Sequence, residues 1–470
     1  MKSRKLIPNS LTTCLLLLLI VTVGCGGSSS SSRSDNALPP QGDLDGDGLS
    51  NEREETLGTD ARTPDTDSDG IWDGEEITMY GTDPLEEDSD NDGINDGADP
   101  QPMTINPMPR DPNSGLFVEH GIFKNNALGT ARERISSTRF QENHVVYAPQ
   151  GAPESPFLLY QTYIADTNSD TLFNEADLAG SAIAIRNSDG SRPRLLTDLD
   201  STTGMISDNG AIDATPEPSP DGNYIIFVSD RDNPGSFNLK LYVMEIDGSN
   251  PEPISYSSNA PDDTIGEIDA DPHWGPDNRV TFKRQVLGAN PEFSRVFTAT
   301  IDTDTMTLSD VVERTDGPDT ILSTPNGPGD FDPKISPDGQ YITSYRHVSD
   351  AVSFFGDYDL WIGPYSDPSQ PADASIIFVD EDNTVASLFP RWNAAGTKVA
   401  VWQLDDVAID NNLDAIDIVV YDLTIQPLPF NVSATKSNIT LGDGWFETMP
   451  SWNPDPAKAD ELVYSASRQF

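Results

Sequence analysis

Basic residues are scarce in this sequence of 470 residues: 28 lysines and arginines stand against 78 acidic side chains, for a formal net charge of −50. Such a chain repels nucleic-acid phosphates and anionic membrane surfaces, so both are excluded as partners without a bridging cation. Divalent cations are its natural counterions. Only four histidines occur, His120, His144, His273 and His347, so few side chains titrate near neutral pH.

Long apolar runs are also missing, apart from one at the N-terminus. Basic residues within positions 2–5 precede an apolar run from Leu15 to Val23, which is the layout of a secretory signal peptide. The run is shorter than the about 20 apolar residues that a spanning helix needs. We therefore expect residues 1–24 to be an export signal.

Cysteine is almost absent, since only Cys14 and Cys25 occur. Cys14 lies inside the predicted signal, so the exported chain would hold one thiol and no internal disulfide. The small residues before Cys25 resemble the lipobox of bacterial lipoproteins, which implies cleavage before Cys25 and lipidation of its thiol. Thr22 stands where that family prefers leucine, which leaves an ordinary signal-peptidase site nearby as the alternative.

The lipoprotein resemblance also implies a location. Gly26 follows the cysteine where an aspartate would favour the inner membrane, so we expect a cell-envelope protein anchored to the outer membrane through its N-terminal lipid only. It would be periplasmic or surface-exposed. Residues 25–42 are rich in glycine and serine and would form a flexible tether.

Acidic residues alternate with other residues over 43–102 instead of forming a block. Three segments share one pattern: DLDGDGLSNERE from Asp43, DTDSDGIWDGEE from Asp65 and DSDNDGINDGAD from Asp88. Positions 1, 3, 5, 9 and 12 carry side chains with oxygen atoms, and position 6 is glycine. Such carboxylates can converge on Ca²⁺, which takes six to eight oxygen ligands in loose geometry, whereas Mg²⁺ demands a near-octahedral set.

We therefore predict that calcium is the cofactor of these loops, with the backbone carbonyl of position 7 as a further ligand. The predicted ligands are Asp43, Asp45, Asp47, Leu49, Asn51 and Glu54 in the first loop, Asp65, Asp67, Asp69, Ile71, Asp73 and Glu76 in the second, and Asp88, Asp90, Asp92, Ile94, Asp96 and Asp99 in the third. A solvated acidic linker is the alternative, and three copies in register argue against it. Paired EF-hands are a weaker alternative because no long amphipathic helices flank the loops.

The period of 22 to 23 residues and the GTD elements at 58–60 and 81–83 resemble thrombospondin type 3 repeats. The resemblance covers residues 43–102. It implies that successive loops wrap a string of calcium ions with almost no hydrophobic core. Without metal, repulsion between the carboxylates should leave the segment disordered.

After a proline-rich linker over 103–118, the composition changes to short β-rich segments separated by Asp/Gly/Pro turns. Five related segments are marked by the prolines Pro216, Pro272, Pro333, Pro390 and Pro450, which are 56 to 61 residues apart. Each segment predicts a strand, a tight turn, a second and third strand, and a short fourth strand. Four strands in each repeat predict the blade of a β-propeller.

A sixth blade, without the turn motif, is predicted to begin near His144. The last repeat holds only two strands, so strands from residues 117–140 are expected to complete it and close the ring. The repeats resemble the TolB-type propeller with its WD40-like PD repeats. The predicted fold is all-β: a six-bladed TolB-like propeller over residues 119–470, preceded by the extended aspartate-repeat segment.

Two further features of the propeller region are interpreted from their residues. Trp274, Trp392 and Trp452 recur at one position of the repeat and are expected to pack between blades. The loop DTNSDTLFNEAD from Asp166 has calcium-like spacing, with Thr171 in place of the glycine. A metal site and a solvated loop are equal alternatives there.

Catalytic motifs are not found: the sequence has no G-x-S-x-G elbow, no H-E-x-x-H and no phosphate-binding glycine loop. His273 lies inside a blade motif and is interpreted as structural, whereas His347 ends a second strand and could face the central channel. We therefore do not expect an enzyme. The alternative is a propeller-type polysaccharide lyase or another secreted, hydrolase-associated enzyme, but such lyases need clustered histidines.

The sequence thus predicts a cell-envelope lipoprotein in which a calcium-stabilised stalk presents a non-catalytic propeller. The expected partner is an unidentified envelope or extracellular protein or a glycan. Fold alone does not identify that partner.

Overall fold

The computed structural model describes residues 42–80, 82–87, 89, 96, 118–136, 142–149, 156–163, 181–188, 193–197, 211–234, 236, 238–256, 267–286, 293–315, 329–349, 357–365, 376–380, 385–405, 416–427, 430–440 and 446–469. The predicted signal peptide, Cys25, residues 103–117 and the loop from Asp166 lie outside these ranges. Within them, no helix combines the length and the apolar character needed to cross a bilayer.

The described strands form six sheets, which are the six blades of a propeller. The first two strands, β1 (Val118–Asn126) and β2 (Glu133–Arg134), belong to the last blade. Blade 1 contains β3 (Glu142–Tyr147), β4 (Phe157–Tyr163), β5 (Ser181–Asn187) and β6 (Arg194–Leu195). Blade 2 contains β7 (Asp213–Pro218), β8 (Tyr224–Ser229), β9 (Lys240–Glu245) and β10 (Glu252–Pro253).

The remaining four blades follow in chain order. Blade 3 contains β12 (Glu267–Trp274), β13 (Arg279–Val286), β14 (Phe293–Asp302) and β15 (Thr307–Glu313). A further short strand, β11 (Ser255–Tyr256), pairs in parallel with β15, the outermost of these. Blade 4 contains β16 (Asp330–Ile335), β17 (Tyr341–Ser349), β18 (Asp357–Pro364) and β19 (Ile377–Phe378). Blade 5 contains β20 (Val385–Trp392), β21 (Lys398–Asp405), β22 (Ile416–Pro427) and β23 (Phe430–Asn438), and blade 6 adds β24 (Phe446–Trp452) and β25 (Glu461–Gln469). Short 3₁₀ turns at Pro276–Asn278 and Pro456–Lys458 join the first two strands of blades 3 and 6.

Blade 6 combines strands from the two ends of the propeller. Strand β1 pairs with β25 along its whole length, from Val118 opposite Gln469 to Asn126 opposite Glu461, and the sheet order is β2-β1-β25-β24. The prediction that strands from residues 117–140 complete the last blade is confirmed. This pairing leaves the ring without an open break between its first and last blades.

The first strand of every blade faces the middle of the ring. Strands β3, β7, β12, β16, β20 and β24 contact one another in this order, and β24 also contacts β3. The predicted six-bladed fold is therefore confirmed. A β-bulge interrupts each of these strands beside one residue with a φ of 47–53°, namely His144, Thr215, Asp271, Asp332, Phe389 and Met449. Bulges redirect the side chains that follow them.

The predicted role of the tryptophans is confirmed by contacts between blades. Trp452 donates its indole N–H to the carbonyl oxygen of Arg391 in blade 5 at 3.0 Å, and Trp392 makes the equivalent bond to blade 4 at 3.3 Å. Trp274 stacks on Tyr224 of blade 2, with 6.2 Å between ring centroids. The apolar core is thus divided among the interfaces between neighbouring blades.

An ion pair recurs in five blades, and its buried acid lies two residues before the bulged residue. The pairs are Glu142–Arg186, Asp213–Arg231, Asp269–Arg284, Asp330–Arg346 and Glu447–Arg132. In blade 5 the equivalent residue, Ser387, donates instead to Asp380 at 2.7 Å. The acids belong to first strands. Arg284 and Arg346 belong to the adjacent second strands, Arg186 belongs to the third strand of blade 1, and Arg231 and Arg132 lie just outside strands. These pairs help to fix the inner strand within its blade.

The described part of the aspartate-repeat segment contains the short helices α1 (Asn51–Leu57) and α2 (Asp73–Glu75) and a π-helical turn at Glu76–Tyr80. Helix α1 begins after Ser50, whose hydroxyl oxygen accepts from the N–H of residue 53 at 3.3 Å. It ends at Gly58, which has a φ of 93°. Both ends follow the usual capping preferences.

The repeat segment packs against blade 1 and does not stand clear of the propeller. Tyr80 lies against the apolar cluster that includes Leu158 and Tyr160 of β4. The first loop also shares a cavity of about 390 Å³ with Arg186 and Arg194 of the same blade. The predicted stalk is therefore docked along one side of the propeller.

Candidate metal centre and channel cavity

The first two acidic loops have the same internal hydrogen bonds. The carboxylate of Asp43 accepts from the N–H of Gly48 at 3.2 Å, and that of Asp65 accepts from Gly70 at 3.2 Å. The φ angles of the two glycines are 102° and 108°, a region that favours glycine. The glycine at position 6 therefore closes the turn that brings the acidic side chains together.

The described acidic residues form four groups in which ligand oxygens lie within 4.8 Å of one another. Two groups lie within single loops, and two others link successive loops. The groups are Asp43, Asp45 and Asp47; Asp65, Asp67 and Asp69; Asp47, Glu54 and Asp73; and Asp69, Glu76 and Asp96. Each linking group thus takes positions 5 and 12 from one loop and position 9 from the next.

In the linking groups, position 9 of one loop lies beside the preceding loop. Asp73 lies with Asp47 and Glu54 of the preceding loop, while its carboxylate accepts from the N–H and hydroxyl of Thr66 at 2.8 and 2.5 Å. The Asn51 side chain accepts from the N–H of residue 44 at 3.2 Å. Asp73 and Asp96 therefore lie at the junctions between loops, and the role of position 9 as a ligand within its own loop stays a prediction.

The unpaired oxygens of these groups fit a bound cation. Both carboxylate oxygens of Glu54 and one each of Asp45, Asp67 and Glu76 are buried without a hydrogen-bond partner. Burial, reinforced by neighbouring carboxylates, raises the pKa of Glu54 to about 7 and that of Asp67 to about 6. Burial also raises the pKa of Glu76 to about 9. Buried carboxylates without a compensating charge are costly, and an all-oxygen donor set suits Ca²⁺.

The other predicted ligands are only partly described. Leu49 and Ile71 are buried, and their N–H groups donate to Asp47 and Asp69 at 2.8 and 2.7 Å; the role of their carbonyls as ligands stays a prediction. In the third loop, Asp88, Asp90, Asp92, Ile94 and Asp99 lie outside the described residues.

Asp96 is the predicted ligand of the third loop that the structure describes, and its contacts repeat those of Asp73 in the second loop. Its carboxylate accepts from the N–H of Ser89 at 2.9 Å, and its own N–H donates to Glu87 at 2.9 Å. In the second loop, the N–H of Asp73 donates to Pro64 at the same distance. The third loop therefore continues the register of the first two at this position.

A cavity of about 360 Å³ lies at one mouth of the central channel and is lined by all six blades. Its rim consists of one turn residue from each blade: Pro149, Pro220, Pro276, Pro337, Ala394 and Pro454. Its floor includes the residue two positions after each bulged residue: Val146, Glu217, His273, Lys334, Arg391 and Ser451. The cavity thus has an apolar rim and a charged floor.

Glu217 is the centre of the charged floor. Its carboxylate contacts Nη1 of Arg391 and lies 3.4 Å from Nζ of Lys334, 3.5 Å from Nε2 of His144 and 3.6 Å from Nδ1 of His273. Burial alone would raise the pKa of Glu217, but the two cations and the two histidines hold it well below its usual value. Glu217 is therefore a stabilised anion.

The groups around Glu217 have further partners. Lys334 lies 2.5 Å from Asp332, and Nη2 of Arg391 lies 3.0 Å from Nε2 of His144. Burial lowers the pKa of both His144 and His273, so both imidazoles are neutral at neutral pH. The network therefore joins inner strands from four blades and adds His144 from a fifth.

The structure describes the side chains of three of the four histidines. His273, interpreted as structural, lies on the cavity floor, and its role stays a prediction. His347, which could have faced the channel, is buried and stacks on Tyr358 with 4.8 Å between ring centroids; the cavity lining does not include it. The side chain of His120 lies outside the described residues. The missed signal was the residue after each repeat proline, which is charged at Glu217, Lys334 and Arg391.

The chain is a six-bladed β-propeller protein with thrombospondin type 3 repeats. Residues 43–60 and 65–86 match the family model of the bacterial TSP3 repeat, which confirms the resemblance predicted for the first two loops. No curated protein matches the chain.

Several solved structures are similar to the chain over part of its length. A candidate TolB from Agrobacterium tumefaciens is 18% identical, with a TM-score of 0.44 over 75% of this chain and 99% of that one. An oligogalacturonate lyase from Vibrio parahaemolyticus is 12% identical, with a TM-score of 0.36 over 74% of each chain. A puromycin-hydrolysing peptidase from Mycobacterium tuberculosis is 12% identical, with a TM-score of 0.36 over 66% of this chain and 40% of that one. These likenesses concern the fold alone.

Proposed function

We propose that this chain is a calcium-binding, non-catalytic binding module of the cell envelope. The repeats hold calcium, and the propeller binds a protein or a glycan. The observation that carries the calcium part is the set of four carboxylate groups, in which Asp45, Glu54, Asp67 and Glu76 keep buried oxygens without a hydrogen-bond partner. A cation would neutralise these groups and replace the missing hydrogen bonds.

Calcium would also hold the repeat segment against blade 1 of the propeller. The group of Asp47, Glu54 and Asp73 joins the first two loops, and the helical turn that follows places Tyr80 against blade 1. Fixing this junction therefore fixes the contact between repeats and propeller. The role of calcium in this proposal is structural.

Binding is favoured over catalysis by the ionisation of Glu217 on the floor of the channel cavity. Glu217 is held in its ionised form by Arg391 and Lys334, which makes it a poor general base or acid near neutral pH. The catalytic motifs sought in the sequence are also lacking. Location in the envelope and lipidation at Cys25 rest on the N-terminal sequence and belong to this proposal.

Calcium titration calorimetry tests the calcium part. We expect saturable binding that weakens by at least tenfold in Glu54→Gln and Glu76→Gln, because each substitution removes a carboxylate from a linking group. Glu55→Gln is the matched control, since Glu55 is exposed on the same helix as Glu54. Equal loss in the control, or no calcium binding by the unaltered protein, would refute this part.

A lyase acting on uronate polymers is the second candidate, favoured by one observation. The structure gathers two of the four histidines, His144 and His273, around Glu217 beside Lys334 and Arg391. A base next to cations that neutralise a uronate carboxylate is what β-elimination needs. Incubation with polygalacturonate and alginate tests it: an ultraviolet-absorbing unsaturated product would support the lyase and exclude a purely binding role.

A further inference from the structure

The channel cavity has more hydrogen-bond donors than acceptors left over. The Lys334 ammonium carries three protons and has two carboxylate partners, Asp332 and Glu217. Nε1 of Trp274 is buried without a hydrogen-bond partner, and Trp274 lines the cavity. Both oxygens of Glu217 already face basic groups. A ligand that completes this set must bring acceptors, and an anion brings the strongest ones.

The rest of the cavity wall is apolar. The rim of five prolines and Ala394 has no side-chain donor or acceptor, and Ile335 and Val146 add further apolar surface. A ligand covered with hydroxyl groups would leave them unpaired against this wall. An apolar body with a single charged end matches both parts of the cavity.

We propose that the channel cavity binds the C-terminal end of a peptide, with the terminal carboxylate on Lys334 and Arg391 and an apolar last side chain against the proline rim. This inference rests on the proposed binding function and names its ligand. The volume of about 360 Å³ is at the small end of ligand pockets, so it admits the end of a chain. Pro220 and Pro337 are exposed at the rim, so the rest of the peptide can extend into solvent.

Fluorescence anisotropy with two labelled peptides tests the proposal. The probe is fluorescein-labelled Gly-Gly-Leu-Phe with a free C-terminus, and its counterpart is the same peptide with a C-terminal amide. We expect the acid to bind at least tenfold more tightly than the amide, because the amide lacks the charge that Lys334 and Arg391 recognise. Phenylpropionate, which has the same carboxylate on an apolar body without a peptide chain, should compete only weakly.

Two variants locate the site. Lys334→Met should weaken acid binding by at least tenfold; circular dichroism checks its fold, because Lys334 also pairs with Asp332. Ala394→Trp leaves all charges in place and should block the cavity from its rim. Ala395→Trp is the matched control, since Ala395 is an exposed neighbour in the same turn outside the cavity lining, and it should bind like the unaltered protein.

Equal affinity for acid and amide, or unchanged binding in Ala394→Trp, would overturn the proposal. Binding of glucuronate in place of the peptide in a competition assay would also overturn it, because the ligand would then be a sugar acid. A calcium titration on the same preparation separates this failure from that of the proposed function. Intact calcium binding without peptide binding refutes only the ligand assignment.

Discussion

The backbone N–H of Gly74 donates a hydrogen bond to Oδ2 of Asp47, 27 residues earlier in the chain, at 3.0 Å. A β-carbon on Gly74 would lie 2.2 Å from the carbonyl oxygen of Asp47. Only glycine fits so close an approach. The contact lies beside the group of Asp47, Glu54 and Asp73. The first two loops therefore touch at the point where their carboxylates come together.

Gly74→Ala should therefore push the first two loops apart. We expect a loss of about 1–3 kcal/mol in the stability of the repeat segment, as for other overpacked sites, and weaker calcium binding. Hydrogen exchange at residues 43–80 of the calcium-loaded protein measures the first effect, and calorimetry measures the second. Glu55→Ala, at an exposed site of α1, is the control. Equal exchange rates in the two variants would contradict the packing role of Gly74.

The stability of the repeats should depend on pH with opposite sign in the metal-free and the calcium-bound protein. In the metal-free protein, burial raises the pKa of Glu54 to about 7 and that of Glu76 to about 9, against an ordinary value of 4.5. At a pH between 4.5 and these raised values, Glu54 and Glu76 keep their protons in the folded protein but lose them in the unfolded chain. The metal-free repeats are therefore expected to lose stability as the pH rises from about 4.5 through 7 to 9.

Calcium must displace the same protons, so its affinity should increase over this pH range. Thermal unfolding at pH 5 and pH 8, with calcium and with chelator, measures both trends. Calorimetry in buffers of different ionisation enthalpy should show proton release on binding. A calcium affinity that stays constant from pH 5 to pH 8 would show that these carboxyls are already ionised in the metal-free protein.

Features set by contacts close in sequence could be predicted from sequence. The turn that ends at Gly48 is built from hydrogen bonds within five residues of Asp43, so spacing alone identified it. The blades are hairpins with recurring turns, and the incomplete last repeat required a strand from elsewhere. Local pattern therefore predicted both the repeat segment and the six-bladed ring.

The channel floor depends on contacts between distant residues and could not be predicted in this way. Arg391 meets Glu217 across 174 residues and His144 across 247. No spacing rule connects them, because closure of the ring sets which blades face each other across the channel. The neighbours of position 9 in the acidic loops depend on long-range contacts for a similar reason. The hydrogen bond from Gly74 to Asp47 holds Asp73 beside Asp47 and Glu54 of the preceding loop.

The buried ion pair of Arg284 and Asp269 in blade 3 should stabilise the propeller only when both partners are present. Arg284 binds Asp269 through two bonds of 2.7 and 2.8 Å, and both residues are buried. Arg284→Met leaves the Asp269 carboxylate without a cation, with the Tyr256 hydroxyl as a remaining donor, and should cost about 3–5 kcal/mol. The double variant with Asp269→Asn removes both charges and should recover part of that loss. Urea unfolding followed by tryptophan fluorescence measures both.

The control for this pair is Arg295→Met, because Arg295 pairs at 2.7 Å with Glu313 in the same blade but both side chains are partly exposed. Exposed pairs contribute about 0–1 kcal/mol, so this variant should unfold near the urea midpoint of the unaltered protein. A double variant that is as unstable as Arg284→Met would show that the cost arises from lost packing of the arginine and not from an unpaired charge.

Tyr80 should hold the repeat segment against the propeller. It packs on the apolar cluster of blades 1 and 6, so Tyr80→Ala removes the apolar contact that its ring makes with this cluster, a loss of about 1–3 kcal/mol for a large side chain. We expect faster hydrogen exchange at residues 73–80 and unchanged exchange in the inner strands of blades 3 and 4, which lie away from this contact. Leu85→Ala is the matched control, since Leu85 belongs to the same segment but is 46% exposed. If Tyr80→Ala and Leu85→Ala exchange at the same rate over residues 73–80, the segment is held by its loops alone, and calcium could not act on blade 1 through Tyr80.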